Sequence, residues 1–282
     1  MGIVFACIAP HGVETIPELV GNMFEAFAVT RRSMGKLASL MKKQQAETIF
    51  IATPHGLRLE ATIGVVTCHF TEGTLEAKDK SVKLRLGCDC QLASRILENA
   101  KKLKLPVVGA NYGTSEGPNS CMPMDWGTLI PLWFLTEKGK TKTQVAIVTP
   151  SREIPLQNLI EFGRVIAETA EASKKRVAFV ASADQGHAHK VDGPYGFNSA
   201  SAKFDEIVQN AVADNSLRPL FCLESQFIED AKPDSLWQMA ILQGVLERVQ
   251  MNGHVLSYQV PTYFGMLCAA YLPTETKRAS TK

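Results

Sequence analysis

The chain lacks an excess of either charge: 30 Lys and Arg stand against 28 Asp and Glu, a formal net charge of +2. That balance gives no electrostatic reason to expect nucleic acid as a partner. It also lacks long hydrophobic runs. Apolar stretches such as Leu129 to Leu135 fall far short of the ~20 residues a membrane span requires, so no membrane partner is expected. No repeat, long linker or low-complexity segment stands out. The seven cysteines are an odd number, and Met1 is followed at once by a strand-like run in place of a secretory leader, so a reducing cytoplasm is the expected compartment. Cys88 and Cys90 form only Cys-x-Cys, without the second pair that a zinc finger needs. The basic pairs Arg31-Arg32, Lys42-Lys43, Lys101-Lys102 and Lys174-Lys175 sit in or beside amphipathic patterns and read as solvated helix faces.

What is present is a repeated local design. Ile3-Val4-Phe5-Ala6-Cys7-Ile8-Ala9 ends in Pro10-His11-Gly12, and Ile49-Phe50-Ile51-Ala52-Thr53 ends in Pro54-His55-Gly56. A third run, Val177 to Ala181, ends in Ser182-Ala183-Asp184-Gln185-Gly186-His187. Short β-branched and aromatic runs closed by Pro or Gly read as buried strands. Strands are expected near residues 2–9, 48–53, 61–70, 81–86, 107–111, 144–149 and 176–182, with a last pair around 254–260 and 265–271. Helices are expected at 16–44 with a break near 29, at 89–103 behind a capping Asp89, at 154–172, at 199–214 behind a capping Ser199, and at 235–249.

The alternation predicts an α/β domain with a central, largely parallel or mixed sheet flanked by helices and an antiparallel excursion at 61–86. One domain over residues 1–271 and a polar tail over 272–282 are expected. Ligands of such sheets collect beyond the carboxyl ends of the strands, so three histidines are offered to one crevice. Each proline restricts its own φ and biases the residue before it, giving His11 and His55 a defined exit direction. Two imidazoles from separate strand ends suit a divalent ion if a carboxylate completes the set.

The sequence resembles the class III extradiol ring-cleavage dioxygenases, the superfamily of the protocatechuate 4,5-dioxygenase beta subunit. The likeness rests on the two Pro-His-Gly turns, the run Pro123-Met124-Asp125-Trp126-Gly127-Thr128-Leu129-Ile130-Pro131-Leu132, the Ser182 to His187 turn and the loop Asp192-Gly193-Pro194-Tyr195-Gly196. It implies a non-haem Fe(II) held by His11, His55 and a late carboxylate, with His187 as an unligated proton-transfer group. It also implies a small aromatic diol and O2 as reaction partners in aromatic catabolism, and a homo-oligomer is expected. The implied substrate pocket takes in Asp125, Trp126, His189 and Tyr195. His69 and His254 read as strand histidines.

Two departures stand out. Trp126 occupies a position where the family often has a histidine, and an indole can stack and donate one hydrogen bond but cannot shuttle a proton. The late carboxylate is usually Glu, whereas the best match here is Asp234. Asp234 also follows Pro233 at the start of an expected helix, where a capping role is the competing reading to that of ligand, with Glu224 and Glu229 as rival ligands. Zn²⁺ in the same site for hydrolysis, and a noncatalytic Memo-like binding protein, are the competing readings.

Overall fold

A computed structural model describes residues 1–274. Eight strands form one mixed sheet: β1 (Gly2–Ala9), β2 (Thr48–Ala52), β3 (Ile63–Val66), β6 (Val107–Ala110), β8 (Gln144–Thr149), β9 (Arg176–Ser182), β10 (Met251–Gln259) and β11 (Met266–Pro273). A second sheet holds β4 (Phe70–Ala77), β5 (Lys80–Gly87) and β7 (Cys121–Pro123). The order in the large sheet is β10-β11-β1-β9-β2-β8-β3-β6. Its centre, β1-β9-β2-β8, is parallel, and antiparallel pairs stand at β8 with β3, β1 with β11 and β11 with β10.

Period-2 alternation divides the core. Ala6, Ile8, Phe50 and Ala52 face the side covered by α2 (Cys90–Lys102), α4 (Leu156–Ser173), α5 (Ser199–Ala213) and α7 (Leu236–Leu246). Phe5, Cys7, Ala9, Ile49 and Ile51 face the side of α1 (Ala28–Lys43) and α3 (Trp126–Leu135). A short α6 (Ser225–Ala231) precedes α7. Helices α4 and α7 touch backbone to backbone through Gly163 and Gly244, where any Cβ would collide with the carbonyls of Ile241 and Ile160. That contact fixes the helix that follows Asp234.

Several boundaries differ from expectation. The single strand expected over 61–70 is two, since the chain leaves the large sheet after Val66 and enters the small one at Phe70. The helix expected over 16–44 begins only at Ala28, behind three 3-10 turns. Asp89 does cap α2, accepting from Leu92 N at 3.1 Å, but α5 is capped by Asn198 in place of Ser199. Residues 272 and 273 continue β11, and the rest of the expected tail from 275 lies outside the described residues. Among the described residues no helix is long and apolar enough to cross a membrane.

Candidate metal centre and its cavity

Because β9 lies between β1 and β2, three parallel strands end side by side, about 4.8 Å apart. His11 follows β1, His55 follows β2, and Ser182 closes β9 with Asp184 two residues on. The ladder continues one step past the strand, with Ala183 N donating to Ala9 O at 2.9 Å. The two histidines therefore flank the end of β9 and turn toward each other across it.

Their Nε2 atoms lie 3.1 Å apart. Asp234 Oδ2 lies 3.2 Å from His11 Nε2 and 3.4 Å from His55 Nε2. Among the described residues these three form the one group of His, Cys, Asp or Glu whose donor atoms converge closely enough to hold a metal ion. Ligands about 2.0–2.2 Å from a shared ion and roughly 90–109° apart as seen from it lie about 2.8–3.6 Å from one another, so the donor set fits a divalent ion.

The neighbours fix the required tautomer of His11. The Ser182 hydroxyl donates its single proton to Gly127 O, so toward His11 Nδ1, 3.0 Å away, it acts as acceptor. His11 Nδ1 therefore carries a proton and Nε2 is the nitrogen turned to the centre, the orientation metal-ligating histidines adopt. Asp184 Oδ1 accepts His11 N at 3.0 Å, and Asp234 Oδ1 accepts Asp184 N at 3.1 Å, tying the two strand ends to the segment before α7. The cap of α7 is Ser235, and the Asp234 carboxylate faces the histidines. Glu224 is exposed before α6, and Glu229 is exposed and pairs with Lys232. Neither joins the cluster.

Charge agrees with geometry. Burial disfavours the imidazolium of His11, yet the carboxylates of Asp184 and Asp234 outweigh it and push its pKa up to about 9. Burial pushes Asp184 up to about 7, with His11 opposing and Asp234 adding to the rise. Asp234 is held far below the carboxylate range, against burial, by the charge of His11 and by hydrogen bonds from both histidines. Two buried carboxylates thus favour one positive charge where the ligating atoms converge, a proton on His11 Nε2 in the metal-free chain.

The centre opens into a cavity of about 560 Å³. Trp126 lines it with its ring 4.0 Å from that of His55. His187 lines it behind an aromatic wall, stacked on Phe264 at 5.3 Å, with Tyr195 at 5.9 Å and Tyr263 at 6.0 Å. Burial lowers the pKa of His187, and its Nδ1 is buried without a hydrogen-bond partner among the described residues.

Two expected pocket residues stand elsewhere. Asp125 caps α3, accepting from Thr128 N at 2.9 Å and Thr128 Oγ1 at 2.7 Å, and also accepts from Thr53 Oγ1 at 2.8 Å. It is a clasp beneath the His55 turn, absent from the cavity wall. That clasp explains two glycines: Gly56 has φ +80° and a Cβ there would lie 2.8 Å from Asp125 Oδ2, while a Cβ on Gly127 would lie 3.1 Å from the His55 ring. His189 is likewise not in the wall, because its Nε2 pairs with Asp205 Oδ2 at 2.9 Å.

Sequence reasoning missed Ser182 and Asp184 as partners of His11, although both stand in the quoted turn. It also missed Asp205, whose Oδ1 accepts Gly186 N at 2.7 Å and whose Oδ2 accepts Tyr258 Oη at 2.6 Å. Through Gly186 and His189, Asp205 holds the chain on both sides of His187.

A family model described as the catalytic LigB subunit of aromatic ring-opening dioxygenase matches residues 6–267. Protein CA_C1420 of Clostridium acetobutylicum is 26% identical over 253 residues, which are 89% of this chain and 54% of that protein. The chain therefore spans about half the length of that relative. The crystal structure of uncharacterized protein JW3007 from Escherichia coli K12 superposes with a TM-score of 0.58 at 15% identity, over 95% of this chain and 99% of that one. At that identity the likeness is one of fold.

Proposed function

The chain belongs to the family of the catalytic LigB subunit of aromatic ring-opening dioxygenases, and on that premise we propose that it is a non-haem Fe(II) extradiol dioxygenase acting on a catechol-type or aminophenol-type ring. His11, His55 and Asp234 are the proposed ligands. The observation that carries this reading is the convergence of two imidazole Nε2 atoms and one carboxylate oxygen within 3.1–3.4 Å at the floor of a cavity. Bound there, iron would supply a Lewis acid for the two ring oxygens and the redox centre that couples an electron-rich ring to O2.

The remaining roles belong to the chain itself. His187, kept neutral by burial, is the group able to take a hydroxyl proton from the ring and return it later. With Nδ1 buried, Nε2 is the nitrogen left for that transfer. Trp126 and the wall of Tyr195, Tyr263 and Phe264 hold an aromatic ring by stacking and edge contacts. Ser182 and Asp184 keep His11 in one tautomer and one orientation.

Anaerobic loading with Fe(II), followed by air and a panel of catechols and aminophenols, tests the reading. Yellow ring-opened products are expected with iron and not with Zn(II). Fully iron-loaded protein that opens no ring in the panel would overturn it.

A further inference from the structure

Helix α5 stands behind the turn that carries His187 and meets it with two buried side chains one turn apart, Ser201 and Asp205. The approach is close: a Cβ on Gly186 would lie 2.7 Å from Ser201 Cα. Ser201 Oγ accepts from Ala188 N at 2.9 Å and donates to Ala231 O at 2.9 Å, and Ala231 O also accepts from His187 N at 3.0 Å. Asp205 is 1% exposed; its Oδ1 accepts from Gly186 N at 2.7 Å and its Oδ2 from His189 Nε2 at 2.9 Å. The chain before and after His187 is thus tied to one carboxylate that lies outside the cavity wall.

The same carboxylate reaches the segment behind the aromatic wall. Its Oδ2 accepts from Tyr258 Oη at 2.6 Å, and a Cβ on Gly265 would collide with it, so the backbone at Gly265 packs directly against Asp205. Segments 185–189 and 263–265 run side by side: Gln185 N donates to Gly265 O at 2.8 Å, Gly265 N to Gly186 O at 3.0 Å and His189 N to Tyr263 O at 3.2 Å. Their middle residues stack, with the His187 and Phe264 rings 5.3 Å apart at 17°. The ring of His11 is oriented through the Ser182 hydroxyl, whereas His187 Nδ1 has no hydrogen-bond partner among the described residues. The direction of the His187 ring therefore depends on its own backbone and on Phe264, and Asp205 holds both segments.

We propose that Asp205 is a positioning residue for His187, fixing its imidazole in the cavity through Gly186, His189 and the Phe264 stack. Its effect on turnover rests on the ring-cleavage reading, in which His187 moves a proton of the ring, but the placement of the imidazole is testable without that reaction.

Asp205→Ala removes every acceptor, and Asp205→Asn keeps the shape and one oxygen for Gly186 N. In iron-loaded protein opening a catechol, Asp205→Ala should lower kcat about 10- to 100-fold, the scale of misplacing a reacting group by about 1 Å, with KM changed less than about threefold. Asp205→Asn should recover part of the loss, and it carries every test should Asp205→Ala fail to fold. Added to His187→Gln, either substitution should lower turnover by less than a further factor of about three, because the group it positions is gone. Equal losses in the two backgrounds would make Asp205 a bridge of the fold alone and overturn the proposal. Metal-free protein labelled with 15N-histidine reads placement without turnover. The His187 ring signals, identified by their absence in His187→Gln, should split or broaden in Asp205→Asn, while those of His11 and His55 stay sharp. Loss of a nearby charge alone would shift them without splitting or broadening, and that result also overturns the positioning role. Should the His187 signals split in a protein whose native iron-loaded form opens no ring, the positioning role stands and the ring-cleavage reading falls.

Discussion

The two ends of the same parallel strands carry similar side chains put to opposite use. At the amino ends of β2, β8 and β9 a cavity of about 460 Å³ is lined by His69, Cys88, Asp89, Cys90, Gln144 and Lys175. By residue type it resembles a metal site as closely as the carboxyl end does. Every strong group there is answered from within the chain. Asp89 accepts from Leu92 N at 3.1 Å, Thr48 Oγ1 at 2.7 Å and Lys175 Nζ at 2.6 Å. Cys90 Sγ donates to Cys68 O at 3.1 Å, and His69 Nδ1 accepts from Gly117 N at 3.3 Å. Burial pushes the Cys88 thiol far up. At the carboxyl end two imidazoles and a carboxylate converge on one point with one another as partners, and the carboxylates favour a positive charge there, a proton in the metal-free chain or an ion in its place. Convergence of metal-ligating atoms on one point, more than the kind of residue, separates a candidate site from a structural cluster.

The sharpest break in that contrast should come at the histidines. His11→Ala or His55→Ala is expected to cost more Fe(II) affinity than the roughly 10- to 100-fold typical of residues that only support a ligand, with the fold retained. Elemental analysis beside a melting curve reads both quantities. Full iron occupancy in the two variants would remove the distinction between the two ends.

Asp234→Asn keeps the shape and removes the charge. It should empty the centre with little change in melting temperature, whereas Glu224→Gln and Glu229→Gln should keep iron. The opposite pattern would move the third ligand to α6 or to the residue before it.

His187→Gln should keep iron and still bind a catechol, while turnover falls by about 10²–10⁴, the range of acid/base catalysis. Loss of metal would make His187 a ligand, and unchanged turnover would take it out of the chemistry.

The smallest effect belongs to the amino end. Asp89→Asn should leave iron content untouched and lower stability by about 1–3 kcal/mol through its buried partners. Against its burial, Lys175, Thr48 and the α2 cap hold the Asp89 pKa below the ordinary carboxylate value. Its charged form is therefore favoured by folding: the contribution is full above the unfolded value of about 3.9 and is lost as pH falls through the lower folded value. Acid denaturation of Asp89→Asn should lack that component, and a variant that instead lost iron would erase the contrast from the other side.

Much of this was legible in the sequence because the strand ends announce themselves: apolar runs closed by Pro-His-Gly mark where His11 and His55 leave the sheet. The alternating pattern likewise gave the α/β class and the edge pair β10 and β11. Helix α3 was not legible, since it is apolar on nearly every side, carries Pro131 inside and shows no amphipathic period. The service of Ser182 and Asp184 to His11 depends on β9 lying between β1 and β2, and strand order is not written in local pattern. Asp125 and His189 went the other way. Both stand beside cavity residues in the chain, but Thr53 with α3 claims the first and Asp205 claims the second.

The contact between His11 and Asp234 joins positions 223 residues apart, and the bond from Ser182 to His11 spans 171. The pairing of β1 with β11 closes loops that are longer still, and contacts of such separation form slowly because closure entropy must be met before they contribute. The centre is thus a late product of folding, absent from any nascent chain that has not yet reached Asp234. An ion captured there would bind the folded chain and not the unfolded one, so its concentration would set the lifetime of the native state as well as its chemistry.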